Sequence, residues 1–132
     1  MFRRLAYVSR PRENLPVLEI PRIVTVSRAH NEGHGITGVL LFTGIDFVQV
    51  IEGSVDVVAS LWARIGADPR HQAIVKFLDE PATSRWYPDW RVGFPSDTTL
   101  VNQIAEWHVR PPGPADAGYA ELRRTLAACD PI

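Results

Sequence analysis

An α+β fold is predicted for this chain: one sheet with two helices on one face, followed by a helical extension at the C-terminus. Three observations predict it. Apolar residues recur with a period of two, or of three to four, in the order strand, helix, strand, strand, helix, strand. Gly44-Ile45-Asp46 stands between two apolar, β-rich runs, which makes the middle strands a hairpin. The 132 residues, 45% hydrophobic and 22% charged, supply one compact core and are too few for two full domains. With one further short strand the order is β-α-β-β-α-β(-β), the ferredoxin-like pattern of an antiparallel sheet with both helices on the same side.

Leu5, Tyr7 and Ser9 alternate with Ala6, Val8 and Arg10 and form the first strand. A polar, proline-rich loop follows from Pro11 to Pro16. Pro21 suits a first helical turn, where its missing N–H costs nothing. Ile23, Val26, Ser27 and His30 then share one helical face, which runs to about Asn31 before Gly33 and Gly35 stop it. Ile36 to Thr43 is almost wholly apolar, a strand buried on both faces, and Asp46 to Gly53 is its hairpin partner. Ser54 stands at a helix N-cap with Asp56 in the first turn. Val58, Leu61, Trp62 and Ile65 give that helix, Val55 to Ile65, its apolar stripe, and Ala67 to His71 ends it. Ala73 to Glu80 is the fourth strand, and Ser84 to Phe94 holds a short fifth strand interrupted by Pro88.

Beyond Pro95 the character changes. Leu100, Ile104 and Trp107 lie on one helical face, Pro111-Pro112-Gly113-Pro114 breaks the chain, and Tyr119, Leu122 and Leu126 form a last helical stripe. The first of these faces either covers the open side of the sheet or forms a dimer contact.

Bulk properties exclude several function classes. A net charge of −1 provides no basic field for nucleic acid and no polybasic membrane anchor. No apolar run approaches the roughly 20 residues that span a bilayer, and the N-terminal MFRRLAYVSR lacks the apolar core of a signal peptide. The single Cys129 rules out an internal disulfide framework, which points to a reducing, cytoplasmic setting.

Three local patterns invite chemistry and are set aside on physical grounds. Gly33-His34-Gly35-Ile36-Thr37-Gly38 spells the dinucleotide fingerprint, but that fingerprint needs a strand before it and a helix after it. Here the helix comes first, and its C-terminal partial negative charge repels phosphate. His30 and His34 stand four apart like metal ligands, yet no third ligand follows with clear spacing, and the reading favoured is two solvent-facing histidines. An acylphosphatase-like enzyme on this fold would need a glycine-bearing phosphate loop after the first strand, where this chain has Pro11-Arg-Glu-Asn-Leu-Pro16. No catalytic constellation and no metal site is therefore expected.

Five segments nevertheless occur in one order: Tyr7-Val-Ser9, His30-Asn31-x3-Gly35-Ile-Thr-Gly38, Phe47-Val-Gln49-x2-Glu52-Gly53, Asp68-x-Arg70-His71 and Arg85-x-Tyr87-x2-Trp90. Together, over roughly residues 3–94, they resemble the BLUF family, sensors of blue light that use FAD. The resemblance implies residues 1–95 as a flavin-binding domain and 96–132 as a C-terminal helical extension, a cap or a partner contact. It places the flavin ring between Ile23 and Ile65, positions that otherwise read as ordinary core. Asn31 matches the amide that grips the flavin N3–H and O4 edge, since a carboxamide offers both a donor and an acceptor; a helix C-cap is its other reading. Tyr7 matches the light-activated electron donor and Gln49 the amide between it and the flavin. Without the resemblance, Tyr7 reads as a core aromatic and Gln49 as an outward-facing amide. Ser9 is a hydrogen-bond neighbour, and Arg70 and His71 match the basic pair near the pyrimidine edge, although a solvated helix-end charge also fits Arg70. Trp90 matches the fifth-strand tryptophan, which packs near Gln49 or swings out. Two residues later the family usually has methionine where this chain has Val92, stiffer and shorter, so the exit route of the signal is where this chain departs.

The function so implied is a photoreceptor and not an enzyme, read by an unknown protein partner or by a second copy in a homo-oligomer. FAD is the cofactor the resemblance implies, and the motifs themselves do not separate FAD from FMN. The alternative reading is a flavin-free ferredoxin-like interaction module.

Overall fold

The structure is a computed structural model that describes residues 2–16, 18–94, 98–115, 119–127 and 130–131. Strand β1 (Phe2–Pro11) leads through a loop into helix α1 (Glu19–Gly33), then to the hairpin β2 (Thr37–Phe42) and β3 (Phe47–Ser54). Helix α2 (Val55–Ala67) and strand β4 (His71–Ala82) follow, then β5 (Trp90–Phe94), helices α3 (Thr98–Glu106) and α4 (Ala120–Ala127), and a two-residue strand β6 (Asp130–Pro131). The sheet order is β4-β1-β3-β2-β5-β6. Its first four strands are antiparallel neighbours in the ferredoxin-like arrangement. The sheet as a whole is mixed, because β5 pairs parallel to β2.

Local differences from the sequence reading have identifiable causes. Helix α1 starts at Glu19, so Pro21 is its third residue, still within the turn whose N–H groups lack intrahelical partners. Strand β5 begins at Trp90, after Pro88, because a proline inside a ladder would remove a hydrogen bond. Ser54 occupies the N-cap of α2 without a side-chain capping bond. The boundary drawn at 95/96 and Cys129 lie outside the described residues.

Two apolar clusters sandwich the sheet. Leu5, Tyr7, Ile51, Trp90 and Val92 pack on the side of α1 and α2. Ala6, Val8, Val39, Val50 and Leu78 pack on the opposite side, against Ile104, Trp107, Leu122 and Leu126. Ile104 and Trp107 of the C-terminal stripe, with Leu122 and Leu126, thus pack on the sheet's second face within one chain. A polar node fastens this cap: the fully buried Asp46 carboxylate accepts from Arg10 Nε at 2.8 Å and from His108 Nε2 at 2.7 Å.

The close approach of β2 to β3 requires glycine at one point. Gly38 has φ +146°, and a Cβ there would lie 1.8 Å from the Val50 carbonyl oxygen. The glycine run that mimics a dinucleotide loop therefore ends α1 and lets two backbones meet. On the other side of β1, the pairing with β4 is broken by register shifts at Ala6/Tyr7 and Val8/Arg10, where Ala73 takes a positive φ of 53°. Such bulges re-aim side chains at a strand edge.

Candidate functional site

Antiparallel register sets the centre of the site. Tyr7 on β1 stands directly opposite Gln49 on β3, so the two side chains leave the sheet on the same face. Both are buried, and the Tyr7 phenol donates a hydrogen bond to Gln49 Oε1. Gln49 thus points inward, against the outward-facing alternative. Burial pushes the Tyr7 phenol well above the usual tyrosine range, and the carboxylate of Asp68 adds to the effect, so it stays a neutral donor. Its ring packs 5.5 Å from Trp62 and 6.2 Å from His71.

Tyr7 and Gln49 line a cavity of about 350 Å³ between α1 and α2. Ile23 on α1 and Ile65 on α2 line it too, with Leu40, Phe47 and Leu61. Asn31 stands in the last turn of α1, whose C-cap is His34 and not Asn31 itself. Its backbone carbonyl accepts from the His34 N–H at 3.2 Å and the Ile36 N–H at 2.9 Å, closing the helix end. Its side chain is 1% exposed, lines the cavity, and carries a buried Nδ2 with no hydrogen-bond partner. Native proteins rarely leave such a donor unpaired, and an acceptor on a bound ligand is a common solution. His30 Nδ1 lies 3.2 Å from Asn31 Oδ1, and since that oxygen only accepts, the ring nitrogen is the donor.

The basic pair divides. Arg70 lines the cavity but is held by Asp68, with Nη2 2.7 Å from Oδ2, which also lowers the Asp68 carboxyl below its ordinary value. His71 Nε2 lies 2.6 Å from the Ile65 carbonyl, so Nε2 carries the proton in the neutral ring and Nδ1 accepts from Ser9 Oγ at 2.9 Å. Ser9 does not line the cavity; it holds His71 from behind. Trp90 and Val92 are buried in the same apolar cluster as Tyr7, outside the cavity lining, and Trp90 Nε1 is a second buried donor without a partner. His30 is half-buried and stacks on the exposed His34 at 4.2 Å. Among the described residues no group of three His, Cys, Asp or Glu is placed to hold a metal, and no helix is long and apolar enough to cross a membrane.

Sequence reasoning missed the clamp that sets the path into β5. Glu52 is fully buried, and its carboxylate accepts from Arg4 Nε at 3.0 Å and from the backbone N–H groups of Trp86 and Tyr87 at 2.8 Å each. Arg85 donates to Thr37 Oγ1 at 2.6 Å, to the Glu52 carbonyl at 3.0 Å and to the Gly35 carbonyl at 3.1 Å. Glu52 directly after the apolar run Phe47 to Ile51, still within the hairpin strand, was the available signal, because a buried carboxylate requires partners.

The family model described as "BLUF: Sensors of blue-light using FAD" matches residues 2–93. The chain is 37% identical over 117 residues to the photoactivated adenylate cyclase subunit beta of Euglena gracilis, covering 78% of this chain but only 13% of that protein. It superposes on the dark-state structure of BlrB, a BLUF protein, with a TM-score of 0.74 and 42% identity, over 96% of both chains. It also superposes on Klebsiella pneumoniae BlrP1, solved with FMN and cyclic diGMP, with a TM-score of 0.68 and 28% identity, over 80% of this chain and 29% of that one.

Proposed function

The chain belongs to the BLUF family of blue-light sensors, and from that premise we propose that it holds its flavin in the α1–α2 cavity and signals through the Tyr7–Gln49 hydrogen bond. The observation that carries the reading is the conjunction of that buried bond with the unpartnered Asn31 Nδ2 in one cavity. Ile23 and Ile65 flank the ring, and Asn31 gives its edge both a donor and an acceptor. Arg70, freed from Asp68 or shared with it, supplies further donors, and His71, steadied by Ser9, closes the wall. FAD is the flavin proposed, on the family's description.

A bound flavin supplies the light absorption and the electron acceptor. With the flavin bound, Tyr7 would serve as its electron donor, and the phenol proton is held toward Gln49 Oε1. Gln49, rotated or tautomerised, would then present a changed donor to its neighbours. A neutral hydrogen bond is worth about 0.5–1.5 kcal/mol net, so one exchange shifts a poised equilibrium by roughly tenfold. The element that responds must therefore already be nearly balanced. Strand β5, with Trp90 and Val92 against the Tyr7 cluster, is that element. A cytoplasmic protein partner, or a second copy of the chain, reads it, and the chain itself turns over no substrate.

The test is visible absorption of protein purified in dim red light, before and after blue illumination and again in darkness. A flavin spectrum that moves slightly to the red and reverts is expected, with FAD released on denaturation. A spectrum that bleaches, or colourless protein, overturns the proposal.

A further inference from the structure

The covered face of the sheet holds a second cavity, of about 500 Å³, bounded by β2, β5 and α4. Its floor is apolar: Val39 and Leu41 from β2 and Leu126 from α4. Its rim is cationic. Arg91 comes from β5, where it pairs with Val39 and points away from Trp90 and Val92 by strand alternation. Arg123 and Arg124 come from α4. Among the described residues, no carboxylate lies within ion-pair distance of any of the three, whereas Arg3, Arg4, Arg10 and Arg70 each have one. Arg123 packs 4.9 Å from the centre of the Trp86 ring, which directs one guanidinium by stacking and leaves its donors unsatisfied by charge. Tyr87 lines the same cavity, and burial pushes its phenol up to about 12, so it remains a neutral donor at neutral pH.

Three guanidinium groups with no carboxylate partner among the described residues, over an apolar floor, form a site of one polarity. An anion is favoured at the rim and a flat apolar body on the floor, and the volume is that of a small-molecule pocket. We propose that this cavity is a second ligand site, for a small aromatic anion whose ring rests on Val39, Leu41 and Leu126 and whose phosphate or carboxylate meets Arg91, Arg123 and Arg124. It lies across the sheet from the α1–α2 cavity, and the proposal stands whether or not the light reading holds. Arg91, Val92 and Gly93 of β5 all line it, which puts a metabolite sensor and the proposed output strand in one wall.

Titration calorimetry of the protein as purified, in dim red light, tests this with 2-naphthyl phosphate, inorganic phosphate and 2-naphthol. One 2-naphthyl phosphate is expected to bind per chain, at least tenfold tighter than either fragment, with the visible spectrum of the protein unchanged at saturation. Arg91→Gln and Arg124→Gln are each expected to weaken it about tenfold, the loss of one charge-assisted contact. Arg28→Gln, exposed on α1, leaves it unaltered. Equal affinity for inorganic phosphate, no saturable heat, or arginine variants that titrate like the parent would overturn the site. An acetyl-Glu-Phe-Glu peptide that binds more tightly than 2-naphthyl phosphate would overturn the small-molecule assignment in favour of a protein partner.

Discussion

Replacing Tyr7 by phenylalanine removes one oxygen from the cavity wall and leaves the ring in place against Trp62 and His71. Tyr7 and Gln49 are 4% and 5% exposed, so water does not take over the lost partnership. Gln49 Oε1 then becomes a buried acceptor without its donor, a cost of about 1–3 kcal/mol. For a chain of this length each kcal/mol lowers the midpoint of thermal unfolding by roughly 4 °C. Tyr7→Phe should thus melt about 4–12 °C below the parent in the dark. The walls set by Ile23 and Ile65 are untouched, so flavin loading should persist. Under blue light the variant should show no reversible red shift, because the phenylalanine ring has no proton to pass to Gln49. Melting followed by circular dichroism and absorption under illumination read the two effects separately. An unchanged melting point would refute the buried Tyr7–Gln49 bond as an energetic feature, and a normal photocycle would refute Tyr7 as the donor.

Asn31→Leu removes a buried donor that has no protein partner, so the flavin-free protein should be as stable as the parent or more so, while flavin affinity falls about tenfold or more; equal affinity by equilibrium dialysis would place the flavin elsewhere. Gly38→Ala sets a Cβ against the Val50 carbonyl at a positive φ and should cost about 4 kcal/mol or more, enough to leave little folded protein; a soluble variant with parental chemical denaturation would contradict the β2–β3 approach. Val92→Met should change the dark-recovery rate more than flavin loading, and a collapse of loading instead would make Val92 part of the pocket's support. Alkaline stability follows from Tyr7, Tyr87 and Tyr119, all raised by burial above the ordinary 10.0. The unfolded chain loses these protons first, so stability is complete below about pH 10 and falls as pH rises toward the folded values. Urea midpoints from about pH 9 to 11 should decline, less steeply in Tyr7→Phe, and a flat profile would contradict the burial of these phenols.

Much of the fold was legible because hydrophobic periodicity reports which face of each element meets the core. The β2–β3 hairpin, the Val58 and Leu61 face of α2 and the C-terminal stripes of Ile104, Trp107, Leu122 and Leu126 all lie buried as their spacing requires. The direction of β5 was not legible. Seven residues of loop from Thr83 to Asp89 carry the chain to the far edge, and only the pairing with β2 decides that it runs parallel.

The sequence by itself determined the order of the elements, the glycines that end α1 and admit β2 against β3, and the resemblance of the segments around Tyr7, Asn31 and Gln49 to a family's motifs. Tertiary structure alone decided that Tyr7 and Gln49 are cross-strand neighbours, that Asn31 turns a bare donor into the cavity, and that the buried Glu52 steers the entry to β5. It alone gathered Arg91, Arg123 and Arg124 from two elements around one cavity. The physical reason is common to all four. Periodicity is a local signal, felt within a turn or a strand, whereas a hydrogen bond or an ion pair depends on register between segments 40 or so residues apart, which only the closed sheet defines.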